Sequence, residues 1–246
     1  MSAREPDPLD GGTLLDGRVQ HRHRRSGHRT GIEPVLLAAA IPARPGEHVL
    51  EAGTGSGAGL LCLSARVPGI SGIGLEIDPE LAVIARDNVR RNCQERLVIL
   101  EQDVASFRSP ERFDHAFANP PWHAADGTPS PDSGRERARR ATTRLLPIWA
   151  RSLAAVLRHR GTLTFIVPSA LLPACLAAMA AARCGAPRIA PLWPRQGSPA
   201  KLVIVQSRLG ARSPCVLLPG LVLHSAAGDF TDFAAAVLRT GLALPL

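Results

Sequence analysis

The 246-residue chain contains no tyrosine, and tryptophan and phenylalanine together keep its aromatic content at 4%. Proteins that bind single strands by stacking successive bases need many aromatic faces, so that class fits poorly. Cys62, Cys93, Cys175, Cys184 and Cys215 form no CxxC pair. This argues against a zinc site and predicts buried free thiols in a reducing compartment. Long hydrophobic runs are missing too: "ALLPACLAAMAAA" is too short to span a bilayer and contains Pro173. The opening "MSAREPDPLD" lacks the apolar stretch of a signal peptide. These absences predict a soluble, cytoplasmic protein with no metal and no membrane partner.

What is present is apolar and basic. Hydrophobic residues make up 45% and charged ones 20%, enough for a packed core. The formal net charge is +8, which favours an anionic partner such as RNA; an arginine-rich composition bias gives the same number with no partner. Residues 1–17 are polar and rich in Gly, Pro and Asp, and read as loose. Residues 18–29 carry Arg18, Arg22, Arg24, Arg25 and Arg29 without an acid. A second basic run, Arg135, Arg137, Arg139, Arg140 and Arg144, follows the tryptophan of "NPPW". Both runs are candidates for phosphate contacts, and the second reads equally as a solvated helix face.

From residue 34 onward, apolar strand-like segments alternate with segments of helical periodicity. "EHVLEA", "ISGIGLEI", "RLVILEQD", "FDHAFAN" and "GTLTFIV" read as strands; "AGLLCLSARV" and "PELAVIARDNVRRN" read as helices. Residues 123–140 read as a loop leading into a helix that ends near Arg158. Alternation of this kind predicts a mostly parallel sheet with helices on both faces. "PRIAPLW" and "KLVIVQSRL" are joined by "PRQGSPA", and this predicts a closing antiparallel hairpin. The expected organisation is a basic segment, residues 1–33, packed on one domain of residues 34–246.

"EAGTGSG", Glu51 to Gly57, occupies the first strand-to-helix turn. Gly53, Gly55 and Gly57 permit a tight turn and close approach of a ligand, and Thr54 lies between them. Carboxylates follow at successive strand ends: Glu51, then Glu76 in "GLEIDP", then Asp103 in "LEQDV". Glu76 is placed to accept ribose hydroxyls, and Asp103 to meet an adenine amino group. Three carboxylates repel a pyrophosphate. They suit S-adenosyl-L-methionine, which has a sulfonium, an ammonium, ribose hydroxyls and an adenine but no phosphate.

"FANPPW" ends the fourth of these strands. Proline biases Asn119 toward extended backbone, and Pro120 and Pro121 offer carbonyls but no N–H. The segment therefore presents fixed acceptors, which match the two donors of a planar NH2 group. Trp122 adds a face on which a base can stack. Asn119, Pro120, Pro121 and Trp122 are the expected catalytic set, acting by positioning. His123 is assigned no role.

In order and spacing, "EAGTGSG", "GLEIDP", "EQDV" and "NPPW" resemble class I S-adenosylmethionine-dependent methyltransferases of the N6-adenine type. "GHRTGIEPVLLAAA" and "LVLHSAAGDFTDFAAAVLRTG" resemble bacterial tRNA1(Val) adenine-N6 methyltransferases in particular. The resemblance runs over residues 15–246, with departures at His28, Glu33 and Trp122. It implies a Rossmann-like seven-stranded sheet whose last strand is antiparallel. It also implies cofactor contacts at Glu51, Gly53, Gly55, Glu76, Asp103 and Asn119, with Arg29, Thr30 and Gly31 at the methionine end. The implied substrate is RNA, above all tRNA. Protein glutamine-N5 methylation, ribosomal RNA guanine-N2 methylation and a catalytically idle RNA-binding module remain as alternatives. DNA adenine methylation goes with a separate target-recognition domain, for which the chain has no room.

Overall fold

The computed structural model describes residues 9–25, 31–121 and 133–246, with the backbone alone for 133–143. The described residues form eleven strands and six α-helices. Five parallel strands carry the centre of the sheet: β3 (His48–Ala52), β4 (Ser71–Glu76), β5 (Leu97–Glu101), β6 (Phe113–Ala118) and β7 (Leu157–Pro168). They are joined by the antiparallel pair β8 (Cys184–Arg195) and β9 (Leu202–Leu209), β9 lying between β7 and β8. This is the expected hairpin, and it makes β9, the last of these seven in the chain, antiparallel to both neighbours.

The sheet has nine strands rather than seven, because β10 (Val216–Leu217) and β11 (Leu221–His224) both add to the outer edge of β8. Together they are one edge strand with a gap. The gap falls beside Pro191, which has no N–H to donate, while Leu218 N–H bonds the Ile189 carbonyl before it. Gly220, at φ +80°, turns the chain where a Cβ would fall on the Pro191 carbonyl oxygen.

Side-chain alternation along the strands divides the core in two. Val49, Phe117, Ile166 and Ile204 face α1 (Glu33–Ala40), α2 (Ala58–Arg66), α3 (Pro79–Arg91) and α6 (Asp232–Thr240). Leu50, Ala116, Phe165 and Val205 face α4 (Ser133–Val156) and α5 (Leu172–Ala181). Helix α4 begins at Ser133, inside the stretch read as a loop, and contains Pro147. Helix α5 begins at Leu172 with Pro173 in its first turn, where proline is tolerated. None of the helices among the described residues is long and apolar enough to cross a membrane.

Residues 9–24 are not loose. They form a hairpin of β1 (Leu9–Leu14) and β2 (Val19–Arg24), with Val19 and His21 buried. Its docking is unusual in that the outer edge of β2 is paired by a helix. Asn88 accepts from Arg22 N–H at 2.9 Å and donates to the Arg22 carbonyl at 2.9 Å. One turn along α3, Asn92 does the same for Gln20, at 2.8 and 2.7 Å. The match is metric: four helical residues rise about 6.0 Å, and two strand residues advance about 6.6 Å. Two side-chain amides thus stand in for a neighbouring strand.

Of the five thiols, Cys62, Cys175 and Cys184 are buried, and burial pushes them up to about 12, 12 and 11. Cys93 and Cys215 are exposed, against the expectation of buried thiols. Cys93 follows the end of α3 in a left-handed turn, and Cys215 lies in the loop before β10.

Candidate active site at the carboxyl edge of the sheet

Strand order reverses beside β3: β4 and β5 extend one way, β6 and β7 the other. Crevices that hold ligands in open α/β sheets form at such a reversal, outside the carboxyl ends of the strands. Here the two strands that flank the reversal are β3 and β6, and their last residues, Ala52 and Ala118, are register partners. The next residues in each strand's path are Gly53 and Asn119. The glycine turn and the asparagine, 66 positions apart in sequence, therefore leave the sheet side by side, one strand spacing of about 4.8 Å apart at the backbone.

Left-handed backbone shapes the turn. Gly53, Gly55 and Gly57 have φ of +64°, +57° and +88°, values that cost side-chain-bearing residues about 1–2 kcal/mol. At Gly53 there is also no room: a Cβ would lie 2.7 Å from Cη2 of Trp149, the buried indole of α4. At Gly55 a Cβ would point into open space. Gly53 is thus a packing glycine, whereas half-buried Gly55 has open space beside its Cα.

The two buried acids brace this turn from below. Glu51, at 4% exposure, accepts the Thr54 hydroxyl at 2.5 Å and Leu60 N–H at 3.0 Å. A Cβ on Gly59 would fall on its Oε1. Burial pushes the Glu51 carboxyl up to about 8, with the charge of Glu76 adding to the effect and the two hydrogen bonds opposing it. Glu76 Oε2 accepts Gly55 N–H at 2.8 Å, and its Oε1 accepts the N–H groups of Ile77 and Asp78, both at 2.9 Å. That uses three of a carboxylate's roughly four acceptor positions. Asp103 stands apart: β5 ends at Glu101, and Asp103 is exposed two residues later, its Oδ1 accepting Ala105 N–H at 2.9 Å.

Asn119 is half-buried, Pro120 buried and Pro121 exposed. Gly31 is exposed just before α1, where a Cβ would fall on the Glu33 carboxylate. Arg29, Thr30, Trp122 and His123 lie outside the described residues. His115 is buried in β6, bonded to Thr162 Oγ1 at 2.7 Å and Glu47 Oε2 at 2.9 Å.

The described members of the first arginine cluster, Arg18, Arg22, Arg24 and Arg25, all have partners within the molecule. Arg24 pairs with both oxygens of Asp78, the residue that caps α3, and with Glu80. Arg25 pairs with Asp10 and Arg22 with Asp87. Arg18 donates to the carbonyls of Thr240 and Ala65. Acids that are distant in sequence and adjacent in space have taken up the charge expected to be available for phosphate. Of the second cluster, only the Arg144 side chain is described, and it is exposed.

Sequence reasoning missed the supports of the turn. His21 Nε2 shares a hydrogen bond of 2.8 Å with Ser56 Oγ, inside the glycine turn. Burial, with His23 adding to it, lowers His21 to about 4, so it is neutral at physiological pH. Asn88 also donates to the Ser56 carbonyl at 2.9 Å. The alternation Val19, His21, His23 is a strand signal that could have found the first contact; no motif marks Asn88 or Trp149.

Residues 29–147 match the family model of the methyltransferase small domain. A tRNA1(Val) (adenine(37)-N6)-methyltransferase of Bacteroides thetaiotaomicron is 31% identical over 149 residues, 60% of this chain and 62% of that protein. Its namesake from Actinobacillus succinogenes is 30% identical over 156 residues, 62% of this chain and 66% of that one. In both cases the match spans less than two thirds of the relative. Among solved structures, a predicted O-methyltransferase of Agrobacterium tumefaciens superposes with a TM-score of 0.72 at 23% identity, over 87% of this chain and 98% of that one. The last likeness is one of fold.

Proposed function

We propose that the chain is a class I S-adenosylmethionine-dependent methyltransferase that methylates an exocyclic amine, adenine N6 of a tRNA; the match of residues 29–147 to the methyltransferase small domain and the named relatives support this reading. One observation carries the reading: the Ala52–Ala118 register sets the glycine turn and Asn119 next to each other at the point where strand order reverses. The relatives named as tRNA adenine-N6 methyltransferases support the choice of base and of RNA. Such a substrate puts the enzyme in the cytoplasm.

The residues fit the cofactor. Gly55 offers an open backbone face, Glu76 keeps one acceptor position for ribose hydroxyls, and among the described residues no lysine or arginine is paired with Glu51 or Glu76. In the proposed site Gly53, Thr54, Gly55 and Gly57 cradle S-adenosyl-L-methionine. Glu76 holds the ribose and Asp103 meets the adenine. Glu51 supplies negative charge beneath the turn when ionised, and Arg29, Thr30 and Gly31 line the methionine end. When bound, the cofactor supplies an activated methyl group.

The chain's own contribution is positioning. The Asn119 amide oxygen and the Pro120 carbonyl accept the two hydrogens of the target amine. Holding both hydrogens withdraws the nitrogen lone pair from the ring and aims it along the line of attack. Trp122 supplies the stacking face and Pro121 fixes the turn. No side-chain base is required, because the amine becomes acidic once alkylated and releases its proton to water.

Label transfer from radioactive S-adenosylmethionine into total tRNA, followed by nucleoside mass spectrometry, tests this. The wild type should yield N6-methyladenosine, and Asn119→Ala should lower the rate by about 10²–10³-fold, the scale for loss of one preorganised polar contact. An undiminished rate in the variant would remove Asn119 from the chemistry. Label recovered in protein glutamine instead of tRNA would overturn the substrate.

A further inference from the structure

The opposite edge of the sheet holds a feature that methyl transfer does not use. Strands β7 and β8 flank β9, and each is irregular near its start. The β6–β7 register shifts between Phe113 and His115, next to Arg160 at φ +62°. The β8–β9 register shifts between Gly185 and Arg188, with Ala186 at φ +51°. Bulges of this kind re-aim side chains and gather at functional sites, and left-handed non-glycine residues are strain that the fold retains.

The two irregularities frame one pocket of about 190 Å³, lined by Arg160, Ala186, Arg188, Gln206, Arg208 and Ser213, among others. Arg188 and Gln206 are register partners, and Arg208 lies two residues further along β9 on the same face. Gln206 is buried and fixed by its bonds to the Ala40 carbonyl and Thr164 Oγ1, both at 3.2 Å. Arg208 is steadied by the Arg160 carbonyl at 3.2 Å.

Three arginines therefore line a pocket whose lining contains no acid. Among the described residues none of the three has a carboxylate partner. Arg188 Nε is buried and makes no hydrogen bond. Such an orphaned donor calls for an explanation, and here it coincides with like charges held together, which repel. The hairpin arginines, by contrast, all have protein partners.

We propose that this pocket binds a phosphate group. Guanidinium forks match the geometry of phosphate oxygens, and three of them more than offset the charge of either a phosphomonoester dianion or a phosphodiester monoanion. The volume is below the roughly 300–1,000 Å³ of sites for whole small molecules, so the pocket takes a phosphoryl head and leaves the rest of its bearer outside. That bearer is either the backbone of the RNA substrate or a free phosphorylated compound, and only the first depends on the function proposed above.

Calorimetry and thermal melting of the full chain with inorganic phosphate, against sodium chloride at equal ionic strength, give the test. The wild type should bind phosphate and melt higher in it. Ser213→Glu, at an exposed loop position, sets a carboxylate against the arginines. It should weaken phosphate binding at least about tenfold while leaving the melting temperature in chloride unchanged or raising it, because the carboxylate relieves the repulsion among the arginines. Arg188→Gln should do the same by removing a donor. If phosphate acts no differently from chloride on the wild type, or if Ser213→Glu leaves its affinity unchanged, the site is refuted. A parallel titration with total tRNA identifies the bearer. Weaker tRNA binding by the variants, with a salt dependence shallower by about one ion, assigns the pocket to the RNA backbone. Unchanged tRNA binding with lost phosphate binding assigns it to a free phosphoryl compound. None of these readouts requires methyl transfer, so failure here leaves the catalytic reading standing.

Discussion

Both edges of the sheet use left-handed backbone, but with different residues. At the carboxyl edge the turn uses Gly53, Gly55 and Gly57; at the amino edge, where Gly46, Gly69 and Gly210 are also left-handed, the pocket uses Arg160 and Ala186. A glycine in that conformation presents bare peptide, so a ligand is met by main chain. An arginine there keeps its strain and projects a guanidinium, so a ligand is met by side chain. Charge follows the same division. The buried acids Glu51 and Glu76 are bonded beneath the glycine turn, whereas Arg160, Arg188 and Arg208 have no carboxylate partner among the described residues. On the two readings proposed above, the first edge takes a cationic, phosphate-free ligand along its backbone, and the second an anion at its side chains.

The largest effect expected from breaking this contrast lies in Glu51. Its carboxyl is raised from an ordinary 4.5 to about 8, so the folded protein holds a proton that the unfolded chain gives up. Stability is therefore unaffected below about pH 4.5 and falls as pH rises toward 8, by up to about 4–5 kcal/mol in the ligand-free protein. Denaturant melts from pH 5 to 9 measure this slope, and Glu51→Gln should flatten it. An unchanged slope in the variant would mean that the buried carboxyl is not what titrates.

Next in size is Gly53→Ala. The new methyl meets the Trp149 ring at φ +64°, and strain plus overpacking should cost about 3 kcal/mol, read as a lower urea midpoint with an unchanged slope. A variant as stable as the wild type would show that the turn does not rest on Trp149. The smallest effect is of opposite sign. Ala186→Gly relieves the left-handed alanine and should leave stability unchanged or raise it by up to about 1 kcal/mol. A loss of more than that would mean that the Ala186 methyl, rather than the bulge, holds the pocket wall.

The order of strands and helices, the glycine turn and the asparagine–proline segment are legible in the chain because each rests on local chemistry: apolar periodicity, conformational freedom, a missing N–H. What escapes is what long-range pairing creates. Residues 9–17 read as loose because what docks their hairpin, Asn88 and Asn92 pairing with β2, is more than sixty positions away and sits on a helix. The first arginine cluster reads as free charge because Asp78, Glu80 and Asp87 reach it only in three dimensions. The amino-edge pocket needs Arg160, Arg188 and Arg208 brought together by the antiparallel placement of β9. The edge strand is split by a proline in its neighbour, which no reading of the edge segment itself reveals.

The asparagine pairing along α3 has a consequence for the molecule in a crowded cell. A hairpin whose outer border carries open amide and carbonyl groups is adhesive, and a second copy could extend it strand by strand. Asn88 and Asn92 occupy those groups from a helix, which cannot itself be extended in that way. The chain thus closes its own border at the cost of two side chains, and a leucine at either position would reopen it.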